Sequence, residues 1–248
     1  ALLFVSLVLY LLVNRRETSR TPTPKPVLAA GNGFQLVLGN RYLQLIAVLI
    51  VLLNVVNTTG EYLIANLVSA RADALAAGTP GFDKGTFIGA YYGDYQFWVN
   101  IVALVLQAFV TSRLVKYQGV RGALLALPFI ALGGYAIVAA GVSFAVVRWV
   151  KTAENATDYS IMNTARQLLW LPTTREEKYK AKQAIDTFFV RGGDLLSAGV
   201  VFVGTSILEL TVAGFAMVNV VLTLVWLAIA FAILKQHRAI AQQQAKAA

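Results

Sequence analysis

Long apolar runs alternate with short charged stretches along most of the chain. No Asp, Glu, Lys or Arg occurs from Tyr42 to Gly60, from Tyr95 to Ser112, from Gly122 to Val147 or from Leu210 to Leu234. Each run is long enough, or nearly so, to cross a hydrocarbon core of about 30 Å as a helix. Leu195–Leu208 is shorter, and the amphipathic stretch Lys182–Asp194 before it supplies the missing turns. At the start, the apolar stretch Ala1–Val13 runs into Asn14-Arg15-Arg16, as the end of a preceding spanning helix would. The chain therefore reads as a fragment; a cleavable signal would place its positive charges before the apolar stretch.

The stretch Arg148–Leu171 fails a hydropathy test because it contains Arg148, Lys151, Glu154, Asp158 and Arg166. Topology predicts that it spans nevertheless. Basic residues cluster at Arg15–Lys25, at Arg113, Lys116 and Arg121, at Arg175, Lys178, Lys180 and Lys182, and at Lys235 and Arg238. The positive-inside rule puts all four clusters in the cytoplasm, so the helix that leaves after Arg121 must return before Arg175. Only 148–171 can bring it back. The expected organisation is a helix end at 1–13, a cytoplasmic linker at 14–40, a six-helix bundle at 41–234 and a cytoplasmic tail at 235–248. Within the linker, Thr21-Pro22-Thr23-Pro24-Lys25-Pro26 favours an extended connector because each X-Pro step resists helix.

Composition agrees with a multi-pass membrane protein. Of the 248 residues 58% are hydrophobic and 13% charged, against roughly half and a quarter in a soluble domain. Cys is absent and His237 is the single histidine, which removes disulfides, thiolate metal sites and a cysteine nucleophile. The sequence has no phosphate-binding G-x-x-x-x-G-K-[ST] motif and no hydrolase motif, so neither a cofactor nor a catalytic residue is expected. The net charge of +9 follows from topology and attraction to anionic headgroups; a basic-aromatic pattern for nucleic acid does not occur.

Ionisable residues inside spanning helices are costly unless they face the bundle interior, which makes each a candidate for function. Asn54, Asn57, Thr58 and Glu61 fall on one face at i, i+3, i+4 and i+7, and Tyr91, Asp94, Tyr95 and Trp98 share a face in the same way. The most charged stripe is Lys151, Asn155, Asp158, Met162 and Arg166, where Lys151 is expected to pair with Asn155 and Asp158. Arg191 and Asp194 flank Gly192-Gly193 and can meet at i,i+3, while the glycines permit a kink or a close helix approach. For every stripe the alternative is a structural seam between helices.

A helix end, a proline-containing linker and a six-helix bundle resemble the C-terminal half of a major facilitator type transporter, in which two six-helix halves enclose a midplane site. The basic-glycine run Arg113-Leu-Val-Lys116-Tyr-Gln-Gly119-Val-Arg121-Gly122 lies in the loop where that superfamily often carries such a motif, here without its acidic residue. A narrower likeness covers Asp158-Tyr-Ser160, then Leu171-Pro172 through Lys182-Gln-Ala-Ile185-Asp186, then Arg191-Gly192-Gly193, which is similar to the ATP/ADP translocase family of nucleotide transporters. Glu61 matches a glutamate that this family often carries on the first helix of the half. The resemblance implies an all-α membrane bundle that moves an anionic solute, such as a nucleotide, by alternating access. It also implies that Arg191 with Arg166 or Lys151 holds the anionic group, beside Asn155 and Tyr95, while Glu61, Asp158, Asp194 and Asp94 set selectivity or carry a coupling ion. Asp158 and Asp194 stand where the family has Lys, which makes the cavity more negative and leaves a nucleotide, a smaller anion or a cation-driven solute open. Implied partners are the lipid bilayer, the N-terminal half of the same transporter and the solute. The alternative function is a degenerate transporter fold serving as an accessory or assembly subunit, with further membrane subunits as partners.

Overall fold

Short polar residues start the helices. Asn40 begins the longest one by accepting from the Tyr42 amide at 2.9 Å, and Asp83 begins the next by accepting from the Gly85 amide at 2.9 Å and the Thr86 hydroxyl at 2.6 Å. Those donors hold the exposed Asp83 carboxyl below its ordinary pKa, so this cap is present at neutral pH and fades as acid protonates it. Thr174 and Glu177 form a reciprocal capping box: the Glu177 carboxylate accepts from the Thr174 amide at 2.8 Å, and the Thr174 hydroxyl accepts from the Glu177 amide at 3.3 Å. Asn40 donates to the other oxygen of Glu177 at 2.7 Å, tying these two helix starts together.

The computed structural model describes residues 2–17 and 32–247. The chain divides into two units, Ala1–Gly31 and Asn32–Ala248. The first contains α1 (Leu2–Glu17), which carries the apolar run expected of a helix end. The Pro-rich connector at 21–26 lies outside the described residues. In the second unit come α2 (Gly33–Gly39), α3 (Arg41–Gly78), α4 (Lys84–Val105), α5 (Ser112–Ala139), α6 (Phe144–Thr157), α7 (Asn163–Leu168), α8 (Lys182–Ala184), α9 (Val190–Ser206) and α10 (Val212–Ala247). Single π-helical turns join α4 to α5, α6 to α7 and α8 to α9, and another leads into α8 from Glu177, so the axes continue through these junctions. Among the described residues of the second unit this gives six long rods, 41–78, 84–118, 120–139, 144–168, 177–206 and 212–247, and no strand.

Four continuous helical stretches are long and apolar enough to cross a membrane: Arg41–Gly78, Lys84–Ala139, Glu177–Ser206 and Val212–Gln243. The second contains two rods, because Gly119 at φ 64° and ψ −154° breaks it. That backbone region is accessible almost only to glycine. Gly119→Ala is expected to destabilise the protein by about 1–3 kcal/mol, read as a lower thermal midpoint in detergent. The 144–168 rod does not qualify by hydropathy, as its charges predict, yet it forms one continuous helical unit.

Two expectations about boundaries need correction. The charge-free run Gly122–Val147 is not one helix: α5 ends at Ala139, Gly141 turns the chain at φ 80°, and α6 starts at Phe144. The turn residues Ala140-Gly-Val-Ser143 are uncharged, so hydropathy alone runs through them. The 14–40 stretch also contains a short helix, α2, capped by Asn32, whose side chain accepts from the Phe34 amide at 3.3 Å.

α10 packs chiefly against α5 and α3, α3 also against α9, and α4 against α6. Leu43, Ile46, Leu49 and Leu63 of α3, Leu124 of α5 and Trp226 and Ile233 of α10 are fully buried between them. Polar seams fix the register. The Thr59 hydroxyl donates to Asn219 Oδ1 at 2.6 Å across the α3–α10 contact, and the Tyr42 hydroxyl donates to the Leu169 carbonyl at 2.7 Å. Phe129, Leu195 and Leu196 point outward, as a lipid-facing surface allows.

Candidate solute-binding site

The polar stripe of α3 and that of α6 meet at mid-helix. Lys151 is only 2% exposed, and its ammonium lies 3.1 Å from Glu154 Oε2 and 3.6 Å from Glu61 Oε1. Asn155 donates to Glu61 Oε1 at 2.7 Å and to the Tyr95 hydroxyl at 2.8 Å. From α5 the Tyr135 hydroxyl donates to Glu154 Oε1 at 2.8 Å and accepts from Lys151 at 3.4 Å. Three helices, α3, α5 and α6, thus meet at one ammonium, and Tyr95 of α4 joins the group through Asn155. Gly60 makes this possible, since a Cβ there would overlap the Tyr135 hydroxyl and press on the Lys151 ammonium.

The expected pairing of Lys151 with Asn155 and Asp158 is not what forms. Lys151 pairs with Glu154 and Glu61, Asn155 serves Glu61 and Tyr95, and Asp158 turns toward a separate cavity. The reason is packing: α3 and α5 bring acceptors to the Lys151 face, so tertiary partners replace the helix-local ones. Glu154 and Tyr135 were not among the predicted site residues. Glu154 stands three residues from Lys151, a spacing that allows contact on a helix, but it falls beside the stripe rather than on it.

Glu61 connects this buried group to the outside. Its side chain is 38% exposed and lines an open cavity of about 710 Å³ together with Thr58, Tyr62, Tyr92, Asp194 and Ser197. On the other wall, Asp194 accepts from Asn54 at 2.6 Å and from Arg191 at 3.1 Å. The Arg191 side chain is 83% exposed. The Arg191–Asp194 pair is therefore present as expected. Its Gly-Gly neighbour works by close approach rather than by a kink: α9 continues through it, and a Cβ on Gly193 would sit against Asn54 at 3.0 Å. Asn54 also donates to the Val190 carbonyl at 2.9 Å, which ties α3 to α9.

The remaining predicted residues lie elsewhere. Arg166 lines a cavity of about 200 Å³ with Gln167, Lys182 and Asp186, where Lys182 donates to Gln167 at 2.7 Å. Asp158 faces a water-sized cavity of about 10 Å³ lined also by Asn57, Glu154 and Trp226. Asp94 pairs with Arg148, which also covers the rings of Tyr91 and Trp149. Since Asp94 is about half exposed, that pair contributes at most about 1 kcal/mol. The buried Lys151 group is the one whose disruption is costly. Among the described residues no group of three or more His, Cys, Asp or Glu side chains could hold a metal.

Comparison with known proteins agrees with the sequence. The chain is 25% identical over 229 residues to ADP,ATP carrier protein 1 of Chlamydia muridarum and 24% identical over 229 residues to the protein of the same name from Chlamydia trachomatis serovar D. Each match covers 80% of this chain and 41% of the relative. The chain is therefore similar, at low identity, to proteins named as ADP,ATP carriers. A third translocase, ADP,ATP carrier protein 1 of Chlamydia pneumoniae, is 26% identical over 147 residues, covering 49% of this chain and 28% of its own length. No protein-family model matches the chain, and no solved structure matches it. The translocase resemblance expected from the Asp158–Gly193 region is borne out, and the relatives are named as carriers rather than enzymes. The chain spans 41% of the length of the first two translocases it matches, within an all-α membrane bundle.

Proposed function

We propose that this chain is the C-terminal, major-facilitator-like half of a secondary transporter that moves an anionic solute, a nucleotide foremost, by alternating access. One observation carries the reading: two cations, Lys151 and Arg191, are each held by a carboxylate, Glu61 and Asp194, and both carboxylates line the same open cavity. The carboxylates line that cavity and the cations stand behind them, so an anionic group entering it would reach the donors by displacing Glu61 or Asp194. A phosphate oxygen would compete with Glu61 for Lys151 and Asn155, and with Asp194 for Arg191 and Asn54. Because the bound and free states then carry similar hydrogen-bond counts, release is as feasible as binding, which a carrier requires.

In this reading Asp158 and Asp94 tune the charge around the pathway, and Arg166 stands at the separate pocket beside Lys182. The N-terminal half of the transporter would cover the face that carries Arg191, in a bacterial inner membrane with linker and C-terminus in the cytoplasm. The names of the translocase relatives support a nucleotide as the first solute to test. Arg191 is exposed, so its removal should leave folding intact. Arg191→Ala in the full-length protein is expected to reduce nucleotide uptake into proteoliposomes about tenfold or more, with an unchanged thermal midpoint. Unchanged uptake would remove Arg191 from the site. A thermal-shift screen of the same protein against nucleotides and smaller organic anions identifies the solute, because a ligand stabilises by mass action.

A further inference from the structure

The cleft beside the break at Gly119 has no role in the transport reading. It measures about 620 Å³ and is lined by Gln118, Arg121, Leu125 and Phe129 from α5 and by Arg238 from α10. No carboxylate lines it, and among the described residues neither guanidinium has an ion-pair or hydrogen-bonding partner. Both arginines are exposed. This contrasts with Lys151, Arg148 and Arg191, which all hold carboxylates. We propose that this cleft binds the headgroup of an anionic phospholipid.

The layout fits an amphiphile rather than a free ion. Arg121, Leu125 and Phe129 follow at i, i+4 and i+8, one stripe about 12 Å long that runs from a charged end to an exposed phenyl ring. Arg238 stands just beyond the apolar run of α10 that ends at Leu234, with exposed Lys235 one turn before it. That is the level at which a spanning helix meets the headgroups. Arg121 lines the cleft two residues after the Gly119 break, and Gly122 leaves room for the Gln118 side chain that packs against it. Two guanidiniums can share a phosphodiester in bidentate fashion while an acyl chain lies along Leu125 and Phe129.

Native mass spectrometry of the full-length protein in detergent, with added phosphatidylglycerol or phosphatidylcholine, tests this independently of any transport assay. The expected result is retained phosphatidylglycerol on the wild type, little phosphatidylcholine, and about tenfold or greater loss of phosphatidylglycerol in Arg121→Gln/Arg238→Gln, as the removal of two charge-assisted contacts implies. Arg121→Lys/Arg238→Lys should recover part of the retention, which separates lost charge from lost fold. Arg175→Gln/Lys178→Gln removes the same charge from a different basic cluster and should retain the lipid. Equal retention in the Gln variant, equal loss in the control, equal binding of phosphatidylcholine, or displacement of the lipid by inorganic phosphate would each overturn the proposal.

Discussion

Lys151→Met is expected to cost about 3–5 kcal/mol of stability. The side chain sits between Glu154, itself buried, and the partly exposed Glu61. Removing the ammonium leaves the Glu154 carboxylate facing apolar helix with only the Tyr135 hydroxyl at 2.8 Å as a donor. Glu61 loses less, because solvent reaches it through the open cavity and screens the interaction. The uncompensated charge of Glu154 therefore dominates. Lys151→Met/Glu154→Gln should regain most of the loss, since the neutral amide keeps a partner in Tyr135 and needs no counter-ion. Thermal unfolding of the single and double variants in detergent measures both, and their non-additivity is the coupling between the two residues.

Gly60→Ala is expected to destabilise by about 1–3 kcal/mol through overpacking, although alanine is the better helix former. The added methyl group meets the Tyr135 hydroxyl and the Lys151 ammonium, so it must displace one of them or push α3 away from α5 and α6. Either movement opens the Tyr135–Glu154 and Lys151–Glu154 contacts at once. Gly192→Ala provides the contrast. Nothing lies within 4 Å of a Cβ at Gly192, so the helix preference alone acts and the protein should gain about 0.5–1 kcal/mol. Opposite signs for two glycine-to-alanine changes would identify close approach at Gly60 as the cause. Equal effects would exclude it.

Much of the architecture was legible in the positions of the charges. The runs from Tyr42 and Leu210 became the α3 and α10 rods, and the highly charged 148–171 stretch formed the helix that topology demanded despite its hydropathy. The turn at Gly141 escaped because a positive-φ glycine among Ala, Val and Ser leaves no trace in a charge pattern. At the site, local spacing sufficed for Arg191 with Asp194, which are neighbours on one helix. It failed for Lys151. Which acceptor meets that ammonium depends on how closely α3 and α5 approach α6, and this is set by Gly60 and Tyr135 rather than by any periodicity within α6. Asn54 belonged to a recognised stripe, but its bond to Asp194 needed the flat surface of Gly193 on another helix.

In the proposed reading, two cations are pre-paired with carboxylates that line one cavity. Such a site favours exchange over tight capture, because a solute gains little more than it displaces. The most direct measurement is uptake of labelled ATP or ADP into proteoliposomes by the full-length wild type and by Lys151→Met/Glu154→Gln, with both proteins first shown to unfold at the same temperature. The account predicts saturable uptake by the wild type and a loss of about tenfold or more in the double variant, the scale expected for a missing charge-assisted contact. Uptake at the wild-type rate by the double variant would contradict it.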